Sequence, residues 1–128
     1  MAEMSNYLEA ALINGTLRGT TYTAPTTTYL ALYTNDPTDA DTGTEITGGS
    51  YVRQAITFSS PSGGATSNSS AIEFPQATAD WGTITYVGIR DAVTSGNLLY
   101  HTALDTSKTI SNGDIFKITS TNLSVTLA

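Results

Sequence analysis

The sequence predicts an all-β fold: an antiparallel β-sandwich, jelly-roll-like or Greek-key, with a short N-terminal α-helix. Three observations predict it. Thr is the commonest residue, and its branched Cβ is at ease on a pleated surface. Apolar side chains recur with period two in short runs. Gly, Pro and Asn punctuate those runs at spacings of about ten residues, as in sandwiches.

One segment departs from the strand pattern. Asn6 can cap a helix, with Glu9 three residues on as in a capping box. Met4, Leu8, Ala11 and Leu12 then share one face at helical spacing, and Asn14-Gly15 supplies a stop. The expectation is a helix from Tyr7 to Ile13 and a Thr-rich connector from Thr16 to Thr28. Residues 1–27 read as a helix-and-connector arm and residues 28–128 as the sandwich. A helix this short is marginal alone in water, so its stripe needs a packing surface. Met4, Leu8, Ala11 and Leu12 are therefore the candidate partner interface, with the sandwich itself as the rival surface.

From Thr28 the period is two. Tyr29, Ala31 and Tyr33 alternate with Leu30 and Leu32 until Asn35-Asp36-Pro37 breaks the strand. A polar loop, Thr38 to Ser50, precedes a strand with Val52, Ile56 and Phe58 on one face. Ser59 to Ser70 lacks apolar periodicity and reads as a flexible loop or hairpin tip. Ile72 and Phe74 begin a short strand that Pro75 ends. In Thr83–Arg90 the apolar residues change face, which predicts two-sided burial or a bulge near Tyr86. A turn at Ser95-Gly96-Asn97 leads into a strand from Leu98 to Leu104. Asn112-Gly113, between Thr109-Ile110 and Ile115-Phe116, is the strongest hairpin signal. Leu123, Val125 and Leu127 alternate cleanly at the end.

The 128 residues suit a single domain, and 39% hydrophobic content can fill its core. Only 12% of residues are charged, so Thr, Ser, Asn and Gly must build most of the polar surface. A net charge of -6 with no basic stripe argues against nucleic acid. No apolar run approaches the ~20 residues that span a bilayer, and no signal peptide opens the chain, so no membrane partner is expected. The chain therefore reads as made in the cytoplasm and not exported by a cleavable signal.

The residues offer little chemistry. Asp36, Asp39, Asp41 and Glu45 could present oxygen ligands to an ion, but EF-hand spacing fails and Asp favours turns in its own right. With no cysteine and one histidine, His101, neither a thiolate site nor a His-rich triad can be built. No cofactor is expected, and a chelator should leave the melting temperature unchanged. No G-x-S-x-G elbow is present, and no glycine-rich loop precedes a helix. The chain reads as non-enzymatic, with no catalytic, cofactor-binding or metal residues. Its seven tyrosines fit half-buried strands, with a sugar-binding surface as a minor reading.

Two segments carry a resemblance. One runs from Tyr29-Leu-Ala-Leu-Tyr33 through Asn35-Asp-Pro37 to Tyr51-Val-Arg53 and Phe58. The other runs from Trp81-Gly-Thr-Ile-Thr-Tyr86 through Arg90-Asp91 and Leu99-Tyr100-His101 to Lys108-Thr-Ile110, Gly113-Asp114 and Phe116. This ordered set resembles a family of small bacteriophage virion proteins, labelled tail-fibre, structural or head-decoration proteins. The resemblance implies a β-sandwich virion component without catalytic residues. Small size and the absence of a long fibrous stalk put a capsid decoration (cement) protein first: a homo-oligomer, trimer favoured, bound to the major capsid protein or neighbouring virion subunits. A tail-fibre or baseplate component stands second, and a carbohydrate-binding module third.

Overall fold

Strand β2 (Thr28–Tyr33) shows how the sequence pattern becomes layers: Leu30 and Leu32 alternate with Ala31 and Tyr33, and all four are buried. A strand buried on both faces needs cover on both sides. The computed structural model describes residues 2–127. Met1 and Ala128, which the reading above placed in the arm and the sandwich, lie outside the described residues.

The chain runs through β1 (Glu3–Met4), α1 (Asn6–Leu17), β2, β3 (Gln54–Ile56), β4 (Ala65–Ser67) and β5 (Ile72–Glu73). It continues through β6 (Gly82–Arg90), β7 (Leu98–Ile110), β8 (Lys117–Ile118) and β9 (Ser124–Thr126). Five strands form one antiparallel sheet in the order β1-β7-β6-β2-β3. Two antiparallel ribbons, β4-β9 and β5-β8, complete the architecture. The fold is all-β, with one short N-terminal helix.

The main core lies between sheet and ribbons. Leu30, Leu32, Ile56, Ile84, Val87 and Ile89 enter it from the sheet, and Ile72, Phe74, Phe116, Leu123 and Val125 from the facing segments. Phe74 meets Phe116 and Trp81 edge-on, at centroid separations of 5.7 and 6.3 Å. Full burial of one such aromatic contributes about 2–3 kcal/mol.

The change of face in β6 is a bulge. Ile84 pairs with Lys108 but Tyr86 with Ala103, so Leu104–Ser107 of β7 stand opposite the single residue Thr85. The offset brings Ile84 into the same core as Val87 and Ile89, which strict alternation would forbid.

Two local expectations need correction. Asn112-Gly113 does turn the chain, with the Asp114 N–H donating to the Ser111 carbonyl, but the strands it joins belong to different sheets. The turn is captured by segment 77–80: Gly113 N–H donates to Ala77 O, and Asn112 N–H to the Asp80 carboxylate. The chain is therefore delivered to β5, not back to β7. The helix is capped by Ser5 rather than Asn6, because the Ser5 hydroxyl accepts the Leu8 N–H and donates to the Leu98 carbonyl. It also runs past Gly15 to Leu17, ending where Gly19 adopts a φ of +70° and Thr20 N–H folds back to Asn14 O. Segment 59–70 is a hairpin tip: Ser62 and Ala65 bridge across Gly63-Gly64, both at positive φ.

Candidate functional site

The loop after β2 carries the four acids that the sequence groups together, and the fold separates them. Asp36 accepts the Thr38 N–H at 2.8 Å, an Asx-turn that starts the loop. Asp41 takes a two-pronged clamp from Arg90, at 2.7 and 2.8 Å. The same guanidinium donates to the Tyr33 hydroxyl and the Gly96 carbonyl. Glu45 is clamped by Arg53 at 2.8 Å on each oxygen and accepts the Tyr51 hydroxyl at 2.6 Å. Arg53 also donates to the carbonyls of Ala92 and Ser95, which ties this loop to the β6–β7 turn. Asp39 goes elsewhere, to His101.

These clamps set the electrostatics. Burial pushes the Glu45 carboxyl up, but donation from Arg53 and Tyr51, with the charges of Arg53 and Arg90, outweighs it and holds the pKa below the ordinary carboxylate value. Its hydrogen bond to Glu45 raises Arg53 against the cost of burial. Burial, then donation to Glu45, pushes the Tyr51 hydroxyl far above its usual range. Burial also raises Tyr33, against the pull of Arg90. Both tyrosines of the network are thus kept neutral. Asp41 and Glu45 are fully engaged as anchors, which removes them from a four-acid ion site.

A second cluster forms at His101, whose side chain is 4% exposed on β7. Glu3 is its direct cross-strand partner on β1. Around the ring, Nε2 lies 2.8 Å from Asp39 and 4.0 Å from Glu3, while Nδ1 faces Asp36 at 3.7 Å. Glu3, Asp39 and His101 each bring a ligand-capable atom within 4.8 Å of the others. Spacing alone assigns His101 no partners, because Glu3 and Asp39 come from distant segments of the chain.

The interface candidates face inward more than outward. Leu8 is buried, Met4, Ala11 and Leu12 are half-buried, and α1 packs on β7 of the same chain. The apolar side chains that α1 leaves in solvent are Tyr7, Ile13 and Leu17, with Leu17 at 79% exposure. Helical spacing alone could not find them, since it marks a stripe without saying which other residues stay uncovered. Val52 and Val93, each 43% exposed, flank a shallow cleft between the Glu45–Arg53 segment and the β6–β7 turn.

Clamped loops, an aromatic core and apolar residues left exposed on a helix describe an all-β module. The family model described as podophage GP4 fiber I protein gp80 matches residues 3–126, and the chain belongs to that family. It is therefore a phage virion structural protein of a fibre family. No curated protein matches the sequence.

Proposed function

We propose that the protein is a non-enzymatic subunit of the tail fibre, assembled as a homo-oligomer against neighbouring fibre or tail subunits. The observation that carries this reading is the fibre-family match over residues 3–126. It favours the tail-fibre alternative over the capsid-decoration reading that the sequence ranked first. The exposed Ile13 and Leu17 of α1 supply apolar surface for contacts between copies. The non-enzymatic part draws on the arginine clamps, which hold the loop acids as structural partners. It draws also on His101, whose hydrogen bond goes to a carboxylate rather than to a serine hydroxyl that it could activate.

Gold-labelled antibody against the native protein, imaged on intact particles, tests the placement. Label confined to the fibres, at a few copies per particle, is the expected result. A uniform coat of label over the heads would restore the cement reading.

A further inference from the structure

We propose that Glu3, Asp39 and His101 form a zinc-binding site that staples the N-terminal edge strand to the sheet. This runs against the expectation from residue counts, which saw one histidine and no cysteine, and it stands independently of the fibre assignment.

The donor set is the first argument. Imidazole nitrogen and carboxylate oxygen are both zinc ligands, three protein ligands with a fourth position for water is a zinc coordination pattern, and the imidazole favours a transition ion over calcium or magnesium. Spacing is the second. Ligands about 2.0–2.1 Å from a tetrahedral ion lie about 3.4 Å apart. The separations here, 2.8 Å from His101 Nε2 to Asp39 and 4.0 Å to Glu3, bracket that value, and the three ligand atoms all lie within 4.8 Å of one another, so side-chain shifts on the order of an ångström would close the shell.

The third argument is the far side of the ring. A metal-bound histidine commonly directs its other nitrogen at a carboxylate, which fixes the ring and its tautomer. Asp36 faces His101 Nδ1 from 3.7 Å, and the ring is held with its side chain only 4% exposed. Charge is the fourth. Asp41 and Glu45 are each clamped by an arginine, whereas among the described residues the ion pairs made by Glu3, Asp36 and Asp39 are all with the one imidazole. A dication relieves the crowding of like charge. Solvent-facing hollows lined by Glu3, Asp36 and His101 leave room for the water ligand.

Such an ion would join three segments: β1 through Glu3, the acidic loop through Asp39, and β7 through His101. The loop and the helix start already touch there, where Asn6 N–H donates to Asp39 O.

The test uses the full chain, stripped with a chelator and titrated with zinc in competition with a chromophoric indicator, alongside thermal melts. Expected results are one zinc per chain, a melting temperature that rises with zinc, and at least a tenfold loss of affinity in His101→Gln and Asp39→Asn. Glu3→Gln is the control against misfolding, because the Glu3 side chain is 72% exposed. It should melt like the wild-type apoprotein yet bind zinc more weakly. Glu9→Gln, on the solvent side of α1, should bind as wild type. No stoichiometric zinc uptake by the wild type, or undiminished affinity in Glu3→Gln and Asp39→Asn together, overturns the proposal.

Discussion

Two segments cover the sheet outside its main core, and they hold on in opposite ways. The acidic loop is fastened by charge: two buried guanidiniums reach across it and take Asp41 and Glu45 in bidentate grips. The N-terminal segment is fastened by backbone and shape. It pairs β1 with β7, seats the Ser5 hydroxyl between Leu8 N–H and Leu98 O, and buries one large side chain, Leu8. Ion pairs with full hydrogen bonding resist the loss of one partner badly, because the orphaned charge stays behind. A short strand and a single leucine fail by smaller steps. The loop should therefore be the brittle attachment and the N-terminal segment the compliant one.

The largest effect is expected at Arg53. Arg53→Met removes both bonds to Glu45 and those to the Ala92 and Ser95 carbonyls. It should cost about 3 kcal/mol, near the lower end for breaking a buried pair, since Tyr51 still donates to Glu45. Arg90→Met should cost less, about 2 kcal/mol, because the Asp41 side chain is 35% exposed and can turn to water. Urea denaturation of the two variants checks both values and their order. Equal losses below 1 kcal/mol would dissolve the contrast between brittle and compliant attachments.

Leu8→Ala comes next, at about 2 kcal/mol, the low end for a leucine truncated in a core. Equilibrium denaturation measures it. A change within experimental error would favour the reading of this stripe as a surface kept for a partner.

Acid should find the loop before the helix. Glu45 has a folded-state pKa below its reference value of 4.5. A carboxyl depressed in this way contributes stability that is complete above the unfolded value and is lost as pH falls through the folded one. Stability should hold from neutral pH down to about 4.5 and then decline. Glu45→Gln should be less stable at pH 7 and should show a flatter decline in acid. Parallel pH profiles for the two proteins would mean that Glu45 gains nothing from Arg53.

How far the sequence could be read follows the same division. The sheet was legible because burial on a pleated strand leaves period two in the residues, as in Leu30, Leu32, Ala31 and Tyr33. Even the irregularity between β6 and β7 left a mark, in the face change between Ile84 and Val87. The Asn112-Gly113 turn was legible as a turn, but its partner strand was not, since Ala77 and Asp80 capture it from far along the chain. The loop acids could be counted without being assigned: nothing local tells Asp41 that it will meet Arg90, or Asp39 that it will meet His101. Polar partners are set by the third dimension, and apolar periodicity by the first.

The smallest effect on stability, and the one that separates folding from assembly, is expected at Leu17. It ends α1 at 79% exposure, one turn beyond Ile13 at 54%, on the part of the helix that its own sheet does not cover. Exposed substitutions away from packing or caps usually change stability by no more than about 0.5 kcal/mol, so Ile13→Ser with Leu17→Ser should melt as the wild type. If copies of the chain meet through this face, the same pair removes two apolar anchors from the contact. A tenfold weakening of self-association, about 1.4 kcal/mol, is then the expected result. Sedimentation equilibrium over a range of concentrations reads it directly, with Leu8→Ala as the reciprocal control: less stable, but with unchanged association while folded. Should the double variant assemble as tightly as the wild type, the contact lies elsewhere, and the Val52–Val93 cleft becomes the next surface to alter.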